Sequence, residues 1–344
     1  MKKNTDDKIV LFAKPSGCTS FSSLFSIKHA FSTKKVGHTG TLDSFASGLL
    51  VVCCNSLTKL AGKITEFDKS YEAVIKFGEE TDTLECTGKV VARAKLPLLN
   101  DLENSVERFT GELLQTPPAF SAIHIDGKRA SDIVRKGLSV EIPKRKIKVY
   151  SAKILEVKQN FLGEVEYARI SFCVSKGTYI RSLARDIGID CKSRASLVGL
   201  LRTSIGQFEL KNAAGYEFLP FFNIENSIKN AEKLVQTKKE PELNKIKQSK
   251  ELSKQELELQ KQIREKSMPM DCFLAKNCGF SVVHLLNSFE TSFKNGVKLS
   301  FSNFLESKES FSTEFIAVFS QQEDFLGLIQ KEQNGKLKYS FVLH

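Results

Sequence analysis

The chain has no run of the roughly 18 to 20 consecutive apolar residues that a membrane-crossing helix needs. Its first residues, Met1-Lys-Lys-Asn-Thr-Asp-Asp7, carry no apolar core of the kind a secretion signal requires. The cytoplasm is therefore the expected compartment. Eight cysteines are present but none forms a CxxC pair, and the five histidines lack the spacing of metal ligands. Neither a metal site nor a disulfide is expected. Walker and Rossmann glycine patterns are also missing, which removes the usual nucleotide-dependent enzymes, and no cofactor is expected.

What is present is a soluble composition, 41% hydrophobic and 26% charged, in a chain of 344 residues. That length allows one large domain plus a smaller one. The net charge of +11 favours a polyanionic partner, most often nucleic acid. A lysine-rich, well solvated surface gives the same sum, so charge alone does not choose.

Along the chain, 9–12 reads as a strand that ends at a Pro15-Gly17 turn. A helix capped by Thr19 or Ser20 is expected to turn Phe21, Leu24, Phe25 and Ile27 or Lys28 to a core. After the 37–50 loop come an apolar strand to Cys54, a short helix at 57–64, and a half-buried strand at 71–77. A helix at 99–109 has Asn100 as its expected cap, and Gln115-Thr-Pro-Pro118 imposes an extended passage. Residues 147–157 and 165–174 read as paired strands, and Thr178 as the cap of a helix at 179–187. Strands and helices alternate without a steady βαβ period, so the expected class is α+β.

From 228 to 267 the composition shifts, with eleven Lys or Arg against seven Glu and few apolar residues. This segment reads as a charged insertion or linker, helical or disordered, with no catalytic role. Strands are expected again at 296–301, 315–319, 325–329 and 337–342, with Asn334-Gly335 as a hairpin turn. The expected division is a catalytic domain at 1–215, continuing to about 227, then the 228–267 segment, then a small β-rich domain at 268–344.

Two polar clusters can carry chemistry. Gly37 to Phe45 holds two glycines, one histidine and one carboxylate just before a buried strand, a rigid support for a reactive Asp43. The same Asp can equally be a helix cap. Ser175 to Asp186 puts Tyr179 and Arg181 at a strand-to-helix corner, where an Arg can pair with a buried carboxylate. Tyr71 and Tyr179 can stack on a nucleobase or simply pack in the core.

In order, Lys14-Pro-Ser-Gly-Cys-Thr-Ser20, Gly37 to Leu50, Lys69-Ser-Tyr-Glu-Ala73 and Thr81-Asp-Thr83 resemble motifs of the TruB family of tRNA pseudouridine synthases. Gln115-Thr-Pro-Pro118 with Ser121-Ala122, Ser175 to Arg181, and Leu201 to Phe208 continue the series. The 37–50 stretch is similar to the family's GHTGTLDPLATGLL, and the resemblance runs from 9 to about 210. It implies a pseudouridine synthase fold: a mixed, mostly antiparallel central sheet flanked by helices, with the cleft running across the sheet. It also implies an isomerase that converts uridine-55 in the tRNA T loop to pseudouridine.

Carried over by residue, it makes Asp43 the catalytic carboxylate, with Tyr71 and Arg181 as its catalytic company. His38, Tyr71, Tyr179 and Leu200 would contact the flipped uridine, and Lys14, Gly37, Gly40 and Arg202 would support the loop. The T arm of tRNA is the implied partner, for a monomer without an obligate protein partner or membrane contact. The chain departs from the family at Ser44-Phe45, Phe120, His124 and Leu201, and the first of these puts the loop's rigidity in question. The last strands are faintly similar to a PUA-type RNA-binding domain, here reduced.

The chemistry agrees with the residues. Isomerising uridine breaks the bond from N1 to the sugar, turns the base and joins C5 to C1′, without net redox change. It needs one carboxylate, an aromatic group to hold the base, and a group to accept the C5 proton. The base must first leave its stack.

Overall fold

The computed structural model describes residues 7–121, 123–125, 127–136, 141–239 and 253–343. Its first part contains strands β1 (Lys8–Lys14), β2 (Val36–His38), β3 (Ser47–Cys54), β4 (Lys69–Phe77), β5 (Glu79–Thr81), β6 (Val90–Arg93) and β7 (Gly111–Gln115). Then follow β8 (His124–Ile125), β9 (Lys128–Arg129), β10 (Arg145–Gln159), β11 (Val165–Val174), β12 (Ala195–Ile205) and β13 (Phe208–Glu209). Between them lie helices α1 (Leu24–Ala30), α2 (Ala61–Thr65), α3 (Leu99–Arg108), α4 (Ala130–Arg135) and α5 (Ile180–Asp190). The remainder holds α6 (Ile224–Lys239), α7 (Lys254–Glu265), β14 (Met268–Pro269), α8 (Cys272–Asn277), β15 (Ser281–His284), α9 (Glu290–Lys294), β16 (Phe315–Phe319), β17 (Phe325–Lys331) and β18 (Leu337–Val342).

One ten-stranded sheet has the order β14-β1-β3-β12-β4-β11-β10-β7, with β2 added to β3 and β13 to β12. Every pairing in it is antiparallel except a short parallel contact of β12 with β3. This is the mixed, mostly antiparallel α+β sheet that the sequence predicts. The continuous apolar run of β3 has a simple cause, since both of its faces are covered. Leu49, Val51 and Cys53 point into one apolar cluster, and Leu50, Val52 and Cys54 into another.

On the β4, β11 and β12 side, α3 and α5 cover a third cluster through Leu102, Val106, Leu183 and Ile187. The opposite face, at Val74 and Val198, is closed by Ile224 and Ala231 of α6. Leu24, Ile27 and Ala30 of α1 cover the β1–β3 face together with Leu259 and Ile263 of α7. The 228–267 segment, read as an insertion or linker, thus has a packed helix on either side of residues 240–252, which lie outside the described residues.

The C-terminal sheet has the order β15-β16-β17-β18 and is joined by α8 and α9. Ala317, Phe319, Leu328 and Phe341 share one apolar cluster with Ile9, Leu11, Leu49 and Val51, so this module packs on the large sheet.

Several local expectations are corrected. Phe21 and Phe25 are 71% and 59% exposed, and α1 begins only at Leu24. The Thr19 hydroxyl accepts from Ser22 N–H at 3.0 Å and holds this segment in a turn, so of the expected residues Leu24 and Ile27 reach the core while Phe21 and Phe25 do not. Helix α3 begins at Leu99 with Leu98, not Asn100, in the capping position. Tyr179 rather than Thr178 precedes α5, and its N–H is taken by the Gln115 side chain at 2.9 Å. No strand forms at 296–301, where Ser300 and Asn303 close a capping box on a short 3-10 turn.

Candidate active site

The segment 39–46 joins β2 to β3, and its backbone is tied on both sides. From one side comes Lys14, the last residue of β1 and fully buried. Its Nζ donates to the carbonyls of Cys18 and Ala46 at 2.7 Å each and of Pro15 at 2.9 Å. From the other comes Arg202 of β12, 1% exposed, whose Nε donates to Leu49 O at 2.8 Å. Its Nη atoms reach Thr41 O and Gly40 O at 3.4 and 3.3 Å. A buried loop must satisfy its carbonyls in this way or lose the stability of each unpaired group.

The Pro15–Ser20 strap adds further ties. Ser16 Oγ donates to Phe45 O at 2.6 Å, Gly17 N to Ser44 O at 2.8 Å, and Ser20 Oγ bonds both Leu42 N and Leu42 O. Ser44 is exposed and contributes its carbonyl, while Phe45 is 3% exposed and packs in the cluster that holds Leu42 and Tyr71. The departure at Ser44-Phe45 therefore supplies an apolar anchor. Gly48 has φ +115°, and a Cβ there would lie 2.4 Å from Arg202 O, so the crossing of β3 with β12 requires glycine.

Out of this loop projects Asp43. Arg181 Nη2 donates to its Oδ1 at 3.2 Å, and Arg181 Nε lies 3.0 Å from Oδ2. The Arg181 side chain is 7% exposed and the Asp43 side chain 38%, so the cation is sequestered while the carboxylate faces the cleft. Arg181 stands in the first turn of α5, and its remaining donors bond Thr83 O and Phe120 O at 3.0 Å each. Four contacts fix the guanidinium plane, which in turn fixes the carboxylate. The Thr83 carbonyl is held by a tight turn in which the buried Leu84 takes φ +59°, a costly conformation for a branched side chain.

Above Asp43 opens a cleft of about 470 Å³ that Tyr71, Tyr179, Leu200, Arg181, Arg202, Gly40, Lys69, Phe120, Arg129 and Arg135 help to line. Tyr71 on β4 is 8% exposed and Leu200 on β12 is 5% exposed; register pairs Tyr71 with Arg202 and Leu200 with Ala73. Burial pushes the Tyr179 phenol up, so it stays protonated at neutral pH. Arg145 lies over its ring, 5.9 Å from the centroid.

Not every expected residue reaches this space. His38 lies on β2 opposite Val52, does not line the cleft, and leaves its buried Nδ1 without a partner. Burial, and secondly Arg202, push its imidazole pKa down. Gly37 pairs with Cys53 behind the loop.

Others were missed. Lys69 precedes Tyr71 by two positions on β4, hence shares its face, and its Nζ donates to Thr65 O at 2.9 Å and Phe67 O at 2.5 Å. Burial and the neighbouring Arg202 bring its ammonium down to about 8. Burial likewise brings Lys14 to about 8. The two-residue spacing to Tyr71 was the available signal. Arg129 and Arg135 had none, because only the fold carries α4 to the cleft.

The arrangement offers one oriented carboxylate, two phenols, an apolar floor and several cations. A family model described as TruB family pseudouridylate synthase (N terminal domain) matches residues 28–180. The tRNA pseudouridine synthase B of Treponema denticola is 38% identical over 317 residues, spanning 88% of this chain and 86% of that one. That of Borreliella burgdorferi is 44% identical over 209 residues, 60% of this chain and 73% of the relative. Among solved structures, a Cbf5-Nop10-Gar1 complex aligns with TM-score 0.61 at 19% identity, covering 98% of this chain and 85% of the other. An archaeal box H/ACA Nop10-Cbf5 complex gives 0.59 at 18% identity with the same coverage, and these two likenesses speak to the fold.

Proposed function

The chain belongs to the TruB family of pseudouridylate synthases, and on that premise we propose that it isomerises uridine-55 in the T loop of tRNA to pseudouridine, with Asp43 as the catalytic carboxylate. The observation that carries the reading is the Arg181–Asp43 pair, a carboxylate oriented from behind and open to a cationic cleft. A flipped uridine entering that cleft would meet Tyr71 and Leu200 on the sheet and Tyr179 at the start of α5. Asp43 acts at the sugar, at C6 or at C2′ to release N1. Tyr71 holds the detached base while it turns; C5 then bonds to C1′, its proton passes to solvent, and N1 takes up a proton, so the product is an isomer of the substrate. His38, which lies behind the loop, contributes to the uridine site only if the loop moves on binding.

Lys14, Arg202, Gly37 and Gly40 act on the loop rather than on the base. The T arm is the proposed contact, and the chain is proposed to act as a monomer without a protein partner, in the cytoplasm. Among the described residues no helix is long and apolar enough to cross a membrane.

Release of the C5 hydrogen from uridine-labelled tRNA tests the reaction. The purified chain is expected to release it from position 55, and Asp43→Asn to slow release by about 10⁴-fold. Asn retains an acceptor for Arg181, so this variant should stay folded and bind tRNA. Normal release by Asp43→Asn, or none by the wild-type chain, would refute the assignment.

A further inference from the structure

The C-terminal sheet carries a second cluster of reactive side chains, remote in sequence from the cleft residues. Cys272 opens α8, His284 closes β15, and Glu323 sits in the turn between β16 and β17. Cys272 Sγ lies 2.8 Å from Glu323 Oε2 and 3.9 Å from His284 Nε2, and that nitrogen lies 3.2 Å from Glu323 Oε1. On the other side of the ring, His284 Nδ1 meets Glu306 Oε1 at 2.6 Å, while the second Glu306 oxygen accepts the His284 backbone N–H at 2.7 Å. Glu306 accepts from Nδ1–H and fixes the ring plane, so Nε2 faces the thiol and Glu323, where a bound ion would take the place of its proton.

We propose that Cys272, His284 and Glu323 form a zinc site, with Glu306 as the outer carboxylate that orients the imidazole. Zinc bonds of about 2.0 to 2.3 Å in a tetrahedron place donor atoms about 3.3 to 3.6 Å apart. Sγ and Nε2 stand 3.9 Å apart and approach different oxygens of Glu323, at 2.8 and 3.2 Å; one ligand atom from each residue lies within 4.8 Å of the others, so rotation of the exposed Glu323 side chain brings one oxygen to that spacing. One thiolate, one imidazole and one carboxylate suit zinc, whereas magnesium and calcium take oxygen ligands throughout. Binding replaces the thiol proton, which leaves to solvent, and water fills the fourth position. The Glu323 side chain is 65% exposed, so the ion enters from that side. Lys276, further along α8, acts on Glu323 electrostatically. The ion would join α8, β15 and the β16–β17 turn. Cys272 and His284 are 12 positions apart, and His284 and Glu323 are 39 apart, separations that belong to no short metal motif.

The test uses the full chain, stripped with chelator and titrated with Zn²⁺ alone and with Co²⁺ alone. One equivalent is expected to bind, with a thiolate-to-cobalt charge-transfer band, four-coordinate d–d bands, and a higher melting temperature in Zn²⁺. Cys272→Ser should abolish the charge-transfer band, and Cys173→Ser should retain it. Glu306→Gln should weaken binding about 10- to 100-fold while keeping the band. Should Cys272→Ser fail to fold, Glu323→Gln on the exposed turn serves instead, with the same loss of affinity expected. No stoichiometric metal in the wild-type chain, or an unchanged band in Cys272→Ser, would overturn the proposal and leave an ordinary hydrogen-bonded ion-pair network.

Discussion

Lys69 is the residue whose chemistry depends most on its surroundings. Its ammonium shares the cleft with the Arg202 guanidinium in a half-buried place, and the two effects bring it from 10.5 to about 8. At pH 7 it is charged, and above about 8 the neutral form takes over. An RNA phosphate selects the charged form, so tRNA affinity should fall between pH 7 and pH 9, by at most about tenfold per pH unit. In Lys69→Arg the side chain stays charged, and that limb should flatten. Equilibrium binding at pH 7, 8 and 9 measures it, and an unchanged slope in Lys69→Arg would remove Lys69 from the contact. Lys14 is also brought to about 8 by burial, but it is fully buried and does not line the cleft, so its titration acts on stability. Its folded value is lower than its unfolded one, so the unfolded chain binds more protons between about 8 and 10.5. That contribution opposes folding below pH 8 and relaxes as pH rises through the window.

At the scale of elements, the helices flanking 240–252 are tied into the fold around the cleft. Asn230 of α6 donates to Ser16 Oγ at 2.9 Å, and Lys238 donates to Thr87 O at 2.9 Å, beside the turn that presents Thr83 O to Arg181. Gln262 of α7 accepts the buried Gly215 N–H at 2.9 Å, and Ile263 is fully buried against the β1–β3 face. Ile263→Ala should cost about 2 to 4 kcal/mol in denaturant unfolding, whereas Leu257→Ala, on the exposed face of the same helix, should cost under about 0.5 kcal/mol. Equal effects would mean that α7 is not packed as described. This element was hidden in the sequence because its burial falls on few residues, among them two glutamines, while the eleven basic residues of 228–267 dominate any average. Strand β3 was legible for the opposite reason, since burial on both faces leaves an unbroken apolar run. Asp43 and Arg181 were legible through motif order. The lowered ammonium of Lys69 is not legible in its motif, because burial and the Arg202 field are properties of the fold. The Cys272 cluster was illegible because three distant segments supply it.

Over the whole molecule the charge of +11 is unevenly used: 228–267 holds +4, leaving +7 for the rest of the chain. Arg181 and Arg202 are committed to Asp43 and to loop carbonyls, so they are poor candidates for long-range attraction. Arg129 and Arg135 stand exposed on the wall formed by β9 and α4, and among the described residues Arg135 pairs with Asp132 at 3.4 Å. An exposed pair of that kind is weak and yields readily to a phosphate. Each phosphate contact contributes about 0.7 to 0.9 to the slope of log affinity against log salt. The double variant Arg129→Gln, Arg135→Gln should therefore bind tRNA with a slope shallower by about 1 to 2. Its single-turnover rate at saturating tRNA should stay within about threefold of wild type, because among the described residues neither arginine is bonded to Asp43 or Arg181. A shallower slope with an intact rate assigns the α4 wall to backbone capture. An unchanged slope means the RNA enters over another face, and a collapsed rate at saturation means that α4 also shapes the space above Asp43.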